Sequence, residues 1–235
     1  INKNEYYYDV GAKVTVPALL KLGVWNIDTI IVSHIHEDHL EGLIRTIESF
    51  KVGKVILPET PFVSDTSKKF TDLCRNKGIG ICYAKAGDRL LIDKDTKIDI
   101  LFPEKVLIEG TKSKENNNSL VAKLTYKNFS ALFTGDIQIE AENLLLSKSV
   151  DADVIKIPHH GSNTSSSEDF IKTVSPSISI ISVGKNSFGH PSQEVIKRIE
   201  GYSSIVLRTD QSGAIALKFK GNKVNIKTVR EHSKN

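Results

Sequence analysis

The run Ser33-His34-Ile35-His36-Glu37-Asp38-His39-Leu40-Glu41-Gly42 constrains this chain more than any other stretch. Three histidines and an aspartate fall within six residues, directly after the apolar run Ile30-Ile31-Val32. That run, bounded by Asp28, predicts a buried strand over 28–33, and Leu40, Leu43, Ile44 and Ile47 then recur at helical spacing. The cluster therefore belongs to a loop between a strand's carboxyl end and a helix's amino end, the edge where open α/β sheets place ligand crevices. Residues two apart on an extended segment project to the same side. His34, His36 and Asp38 are thus expected to converge, with His39 opening the helix and turned toward a second ion. Imidazole and carboxylate suit zinc and other first-row divalent ions. The competing reading is a polar helix-entry loop with Asp38 as its cap; the density of the H-x-H-x-D-H pattern favours the metal.

At 235 residues, with 39% hydrophobic and 26% charged side chains, one soluble domain over 1–235 is the economical expectation. The net charge of +4 is too small to argue for nucleic acid by itself. The last stretch is more basic, with Lys218, Lys220, Lys223, Lys227, Arg230 and Lys234 opposed mainly by Glu231, and a solvated edge strand explains that equally well. Cys74 and Cys82 form no C-x-x-C pair and are expected as free thiols. No run approaches the roughly 18 apolar residues of a membrane span, and no signal peptide is visible. The chain has no methionine and begins at Ile1, so it is expected to be a piece of a longer protein.

Along the chain, Tyr6-Tyr7-Tyr8 precede Asp9-Val10-Gly11, and 14–22 reads as a helix with Pro17 in its first turn. Further helices are predicted over 65–77, 137–147, 167–173 and 192–200. Strands are predicted over 54–57, 79–83, 90–92, 97–102, 119–126, 129–133, 153–157, 178–183 and 204–208, with a closing hairpin over 214–228. The polar stretch 104–118 reads as a loop. This mix of alternating and hairpin-joined strands suits a two-sheet core with helices outside. Three more polar points fall at strand ends: Asp136, His159-His160 and His190. Each has an innocent reading, Asp136 as a helix cap and the histidines as turn residues. Together with the first cluster they supply what a two-ion site needs, several ligands from separate loops with one carboxylate between the ions.

The histidine motif resembles the signature of the metallo-β-lactamase-fold hydrolases. The fuller set resembles the ComEC competence family, over about 9–217. It comprises Asp9-Val10-Gly11 with Val16-Pro17, Ser33 to Gly42, Ser119-Leu120-Val121, Thr134-Gly135-Asp136, Pro158-His159-His160-Gly161-Ser162, Gly189-His190-Pro191 and Arg208 to Ile215. The resemblance implies an α/β fold, a four-layered αββα sandwich here expected to lack its first strands. It implies that His34, His36, Asp38, His39, Asp136, His159 and His160 hold two divalent ions, zinc or manganese. Asp136 then bridges them, and one of His159 and His160 is the final ligand. Where the family pattern has a further histidine, this chain has Asn116-Asn117-Asn118-Ser119; an amide oxygen is a harder, weaker ligand and favours manganese or magnesium. Catalysis falls to Asp38, His160 and His190, with Asn117, Ser162 and Asn186, and Lys185 beside it, as candidates for holding substrate.

The implied activity is a nuclease that attacks phosphodiesters of single-stranded DNA, degrading the non-transported strand, with no small-molecule cofactor. The implied context is a soluble domain following the membrane channel portion of the same polypeptide, on the extracytoplasmic side. The alternatives are a free-standing hydrolase of a small phosphoester or lactone and a metal-free module that only contacts DNA. β-Lactam hydrolysis ranks low.

Overall fold

The computed structural model describes residues 9–220 and 223–230. Tyr6 to Tyr8, Glu231 and Lys234 lie outside the described residues. The chain forms two compact units, Ile1–Ala84 and Lys85–Asn235.

The first unit opens with a wide helical turn, Gly11–Thr15, running into α1 (Val16–Lys21), which has Pro17 in its first turn. Pro17 is tolerated there because the first turn's N–H groups have no intrahelical partner. A parallel sheet follows, in the order β1 (Asn26–Ile31), β2 (Lys51–Pro58), β3 (Gly80–Ala84). Parallel neighbours need crossovers, and α2 (Glu37–Ser49) and α3 (Asp65–Asn76) supply them. Leu40 and Ile47 of α2, Phe70 and Cys74 of α3, and Ile30, Val55 and Leu57 of the strands form one core. Ser64 caps α3 in a reciprocal pair with Ser67. Gly11 lets the amino-terminal turn lie against α2: a Cβ there would sit 2.5 Å from Arg45 Cβ and 2.8 Å from the Gly42 carbonyl oxygen.

The second unit is built on a seven-stranded mixed sheet. In sequence its strands are β4 (Arg89–Leu91), β5 (Thr96–Phe102), β6 (Val121–Tyr126), β7 (Phe129–Phe133), β8 (Val154–Lys156), β9 (Ile178–Ile181) and β10 (Ile205–Arg208). They lie side by side in that order, antiparallel from β4 to β7 and parallel from β7 to β10. Both faces are covered. Leu132, Ile155 and Ile181 pack under α5 (Ile139–Leu145), α6 (Glu168–Val174) and α7 (Gln193–Gly201). Ala131, Val154, Ile178 and Leu207 face the other way, against a hairpin of β11 (Ile215–Lys220) and β12 (Lys223–Thr228). Successive strand residues point to opposite faces, so the adjacent apolar pairs Ala131-Leu132 of β7, Val154-Ile155 of β8 and Ile180-Ile181 of β9 record two covered sides.

Two local expectations are corrected. The segment 104–118, read as a polar loop, contains α4 (Lys114–Asn117) and carries Asn116, Asn117 and Asn118 into the interior. Their amides find internal partners, so polarity here does not mean exposure. The extended conformation also stops at His36 (ψ 155°), and Glu37 already begins α2. Asp38 therefore sits in a helical first turn, and two-residue alternation does not extend to it. No helix among the described residues is long and apolar enough to cross a membrane. Cys74 is buried, Cys82 exposed, and both are free.

Candidate metal centre

In the first unit the turn from β1 into α2 gathers three imidazoles. The ring centroids of His34 and His36 lie 4.7 Å apart, and those of His34 and His39 4.1 Å. Ser33 Oγ lies 3.2 Å from His34 Nδ1 and 3.3 Å from His39 Nδ1. One hydroxyl donates a single proton, so one ring must donate its Nδ1–H to Ser33, which leaves that ring's Nε2 lone pair for other use. His34 is 2% exposed, while the Asp38 side chain is 61% exposed, 3.5 Å from His39 Nε2. The α3 cap reaches this turn: Ser64 Oγ donates to the Ile35 carbonyl at 3.2 Å, and Thr66 Oγ1 to Glu37 at 3.1 Å. Asp38 and Glu37 lie in the first turn of α2, where carboxylates complement the helix dipole. The Asp9 carboxylate takes the Ala12 N–H and the Arg45 guanidinium. Those two hydrogen bonds hold its pKa below the usual carboxylate range.

In the second unit four loops meet at the carboxyl ends of β7, β8 and β9. Asp136 is 2% exposed, with its N–H donated to Ser119 Oγ at 3.2 Å. His159 and His160 follow β8 with φ of 47° and 54°, left-handed values that cost free energy in residues other than glycine and cluster at functional sites. His160 Nδ1 lies 2.7 Å from the Ser182 carbonyl, so Nδ1 carries the proton and Nε2 is the open nitrogen. That Nε2 faces Asp136 Oδ2 at 3.2 Å. Two acceptors at this distance require a proton or a cation between them.

His159 is engaged differently, 3.4 Å from Asn116 Nδ2 and 3.3 Å from Thr164 Oγ1. His190 stacks near it, with centroids 5.7 Å apart. Burial, reinforced by the charge of His160 and opposed by Asp136, pushes the His190 pKa down. Gly161 makes the meeting sterically feasible: at φ +80° it lies where a Cβ would come 2.6 Å from Pro191 Cβ.

Lys156, which sequence reasoning did not single out, also shapes this place, as do Asn116 and Thr209, which it read only as parts of motifs. Lys156 Nζ lies 3.7 Å from Asp136 Oδ1; a lysine ending a buried apolar strand was the available signal. Asn116 is 5% exposed and its Oδ1 has no hydrogen-bond partner among the described residues. Thr209 Oγ1 accepts from Val183 N and donates to Val183 O, both at 2.8 Å, pinning the segment whose Ser182 carbonyl orients His160. The three candidate substrate residues are occupied internally. Asn117 is fully buried, accepting from Gln138 N and donating to Glu140. Ser162 is buried and bonded to Thr164. Asn186 braces the His190 loop through the Gly184 and His190 carbonyls and the Phe188 and His190 N–H groups. Lys185 is exposed.

The donor set suits a divalent ion. Imidazole nitrogens with fixed tautomers, a buried carboxylate and an unsatisfied amide oxygen are groups that gain most from a cation.

The chain belongs to the metallo-β-lactamase superfamily, whose family model matches residues 6–185. This is a metal-dependent hydrolase fold. Among curated proteins it is similar to ComE operon protein 3 of Bacillus subtilis, with 34% identity over 93% of this chain and 28% of that protein. It is also similar to Competence protein ComA of Neisseria gonorrhoeae, with 27% identity over 85% of this chain and 26% of that protein. The chain thus spans about a quarter of the length of these relatives. The competence-family resemblance carried by its motifs is met by these relatives. Among solved structures, the metallo-β-lactamase fold protein YhfI from Bacillus subtilis superposes with a TM-score of 0.53 at 13% identity, covering 83% of this chain and 80% of that one. That likeness concerns the fold.

Proposed function

We propose that this chain is a metal-dependent phosphodiesterase acting on DNA, the hydrolase domain of a longer DNA-uptake protein. In this reading it degrades the strand that is not transported. The proposed ligands of two divalent ions are His34, His36, Asp38 and His39 in the first unit and Asp136 and His160 in the second, read as parts of a single hydrolase domain. Asn116 offers its amide oxygen where the family pattern has imidazole. The observation that carries the reading is the His160–Asp136 pair, an imidazole nitrogen with its tautomer set by Ser182 and turned 3.2 Å from a buried carboxylate oxygen. With Asn116 among the donors, manganese or magnesium fits better than zinc.

When bound, the ions supply Lewis acidity, making water nucleophilic at neutral pH and drawing charge from a phosphoryl oxygen. The chain's own side chains do the rest. Ser33 and the Ser182 carbonyl orient imidazoles. Lys156 balances the charge of Asp136. His190 or His159 returns a proton to the leaving oxygen. Similarity to a protein named for competence supports DNA as the substrate, and in this reading the domain has a membrane-anchored, extracytoplasmic setting.

Incubation of the purified chain with Mn(II) and linear single- or double-stranded DNA tests this. Cleavage is expected, abolished by EDTA and reduced at least ~100-fold in Asp136→Ala and Asp38→Ala. Intact DNA alongside a cleaved small phosphodiester would transfer the assignment to a free-standing hydrolase of small phosphoesters. Cleavage unchanged in both variants would place the chemistry elsewhere.

A further inference from the structure

The β11–β12 hairpin segregates the charge of the whole chain. Residues 215–230 carry five basic side chains, Lys218, Lys220, Lys223, Lys227 and Arg230, and no acidic one. The whole chain is +4, so everything else together is −1. The register sorts these residues by face. Leu217 pairs with Ile226 and packs with it and Ile215 against the sheet. Ala216 pairs with Lys227 and Lys218 with Asn225, on the opposite side, which Lys223 shares. Ala216, Lys218, Lys223, Asn225 and Lys227 are all exposed. None of Lys218, Lys223 and Lys227 has an ion-pair partner among the described residues. Some exposed cations elsewhere in this unit do pair, as Arg89 does with Asp99 and Lys127 with Asp95.

A soluble surface ordinarily intersperses both signs. Protection of a strand edge favours lysine on that edge, whereas here lysines stand on both strands of the hairpin, Lys218 on β11 and Lys223 and Lys227 on β12. Same-side residues on a strand recur at roughly 6.6–6.8 Å, so Lys227, Lys218 and Lys223 stand at three successive levels of the hairpin, alternating between its strands. We propose that this outward face is a docking surface for the phosphate backbone of a nucleic-acid strand. It holds the substrate by charge and without regard to base sequence. The proposal deepens the nuclease reading and rests on it for the identity of the polyanion. The face offers no aromatic side chain on which bases could stack, and contacts to phosphate alone carry no sequence information. Ala216, Lys218, Lys223, Asn225 and Lys227 include no large apolar side chain of the kind that interfacial membrane segments bury, and the exposed Val229 stands alone beyond β12. That difference favours nucleic acid over an anionic lipid surface.

The test compares the natural chain with the triple variant Lys218→Gln, Lys223→Gln, Lys227→Gln. The first probe is a fluorescent phosphorothioate oligonucleotide that resists cleavage, followed by anisotropy across a salt series. The second is vesicles of phosphatidylserine and phosphatidylcholine. Phosphate contacts by lysine each change the salt slope by about 1. The variant is therefore expected to bind the oligonucleotide at least ~10-fold more weakly at low salt, equally for different sequences, with the slope reduced by roughly 2–3. Its melting temperature should match that of the natural chain, because the substitutions are on exposed side chains. Unchanged oligonucleotide affinity and slope would overturn the proposal, as would a loss confined to vesicle binding. Binding is read without turnover. A chain that grips the oligonucleotide through these lysines but cleaves nothing overturns the nuclease reading and leaves the surface standing. Cleavage with lysine-independent binding does the reverse.

Discussion

Thr209 shows how a single side chain outside the histidine motifs bears on the metal centre. Its hydroxyl closes two hydrogen bonds on the Val183 peptide, and the neighbouring Ser182 carbonyl takes the Nδ1 proton of His160. Groups that orient a metal-binding imidazole are worth about 10–100-fold in metal affinity. Thr209→Val is expected to weaken Mn(II) binding by that factor in a calorimetric titration, and Thr209→Ser, which keeps the hydroxyl, to restore it. Affinity unchanged in Thr209→Val would remove Thr209 from the site. The Arg-Thr-Asp-Gln run was legible as a motif, yet its role was not. What it touches lies 26 residues away in sequence, and nothing in local pattern predicts that pairing.

Elements show a different balance. The turn from β10 into the short helix α8 (Thr209–Ser212) is closed by a two-pronged contact of Arg208 with Asp210, at 3.1 and 2.7 Å. The Arg208 guanidinium holds the Asp210 pKa below its usual value. A depressed carboxylate stabilises the folded state above its unfolded pKa, and that contribution is lost as pH falls through the lower, folded pKa. Thermal melts from pH 7 down to pH 3 should therefore show a steeper acid loss in the natural chain than in Asp210→Asn. Equal slopes would show that the contact carries no linkage. At this scale periodicity was a good guide. The α2 positions Leu40 and Ile47 are buried as their spacing requires, and the predicted strands recur with ends shifted by a few residues. The failure at 104–118 came from composition. Asn118 spends its amide on the Ile108 backbone and the Lys114 carbonyl, so a polar run went inside because its hydrogen bonds were met there.

For the molecule as a whole, metal binding should be felt as stability. A ligand that binds only the folded chain stabilises it by about 2.7 kcal/mol at a hundredfold excess over Kd. Saturating Mn(II) is expected to raise the melting temperature by several degrees and EDTA to reverse the shift. A melting curve indifferent to both would argue that the donors hold no ion. Residue order alone determined the mixed α/β class, the superfamily and the position of Asp136, His159 and His160 just past strand ends. Those features are written in local spacing and in side-chain chemistry, which a chain carries before it folds. Only the tertiary structure decided that His160 faces Asp136 while His159 turns to Asn116, and that Asn116 keeps a buried oxygen unbonded. It also decided that Asn117 and Ser162 are consumed internally. These outcomes depend on contacts between segments such as Asn116 and His159, 43 residues apart. Such contacts form only when separate loops are brought to one edge of a sheet by the packing of its core.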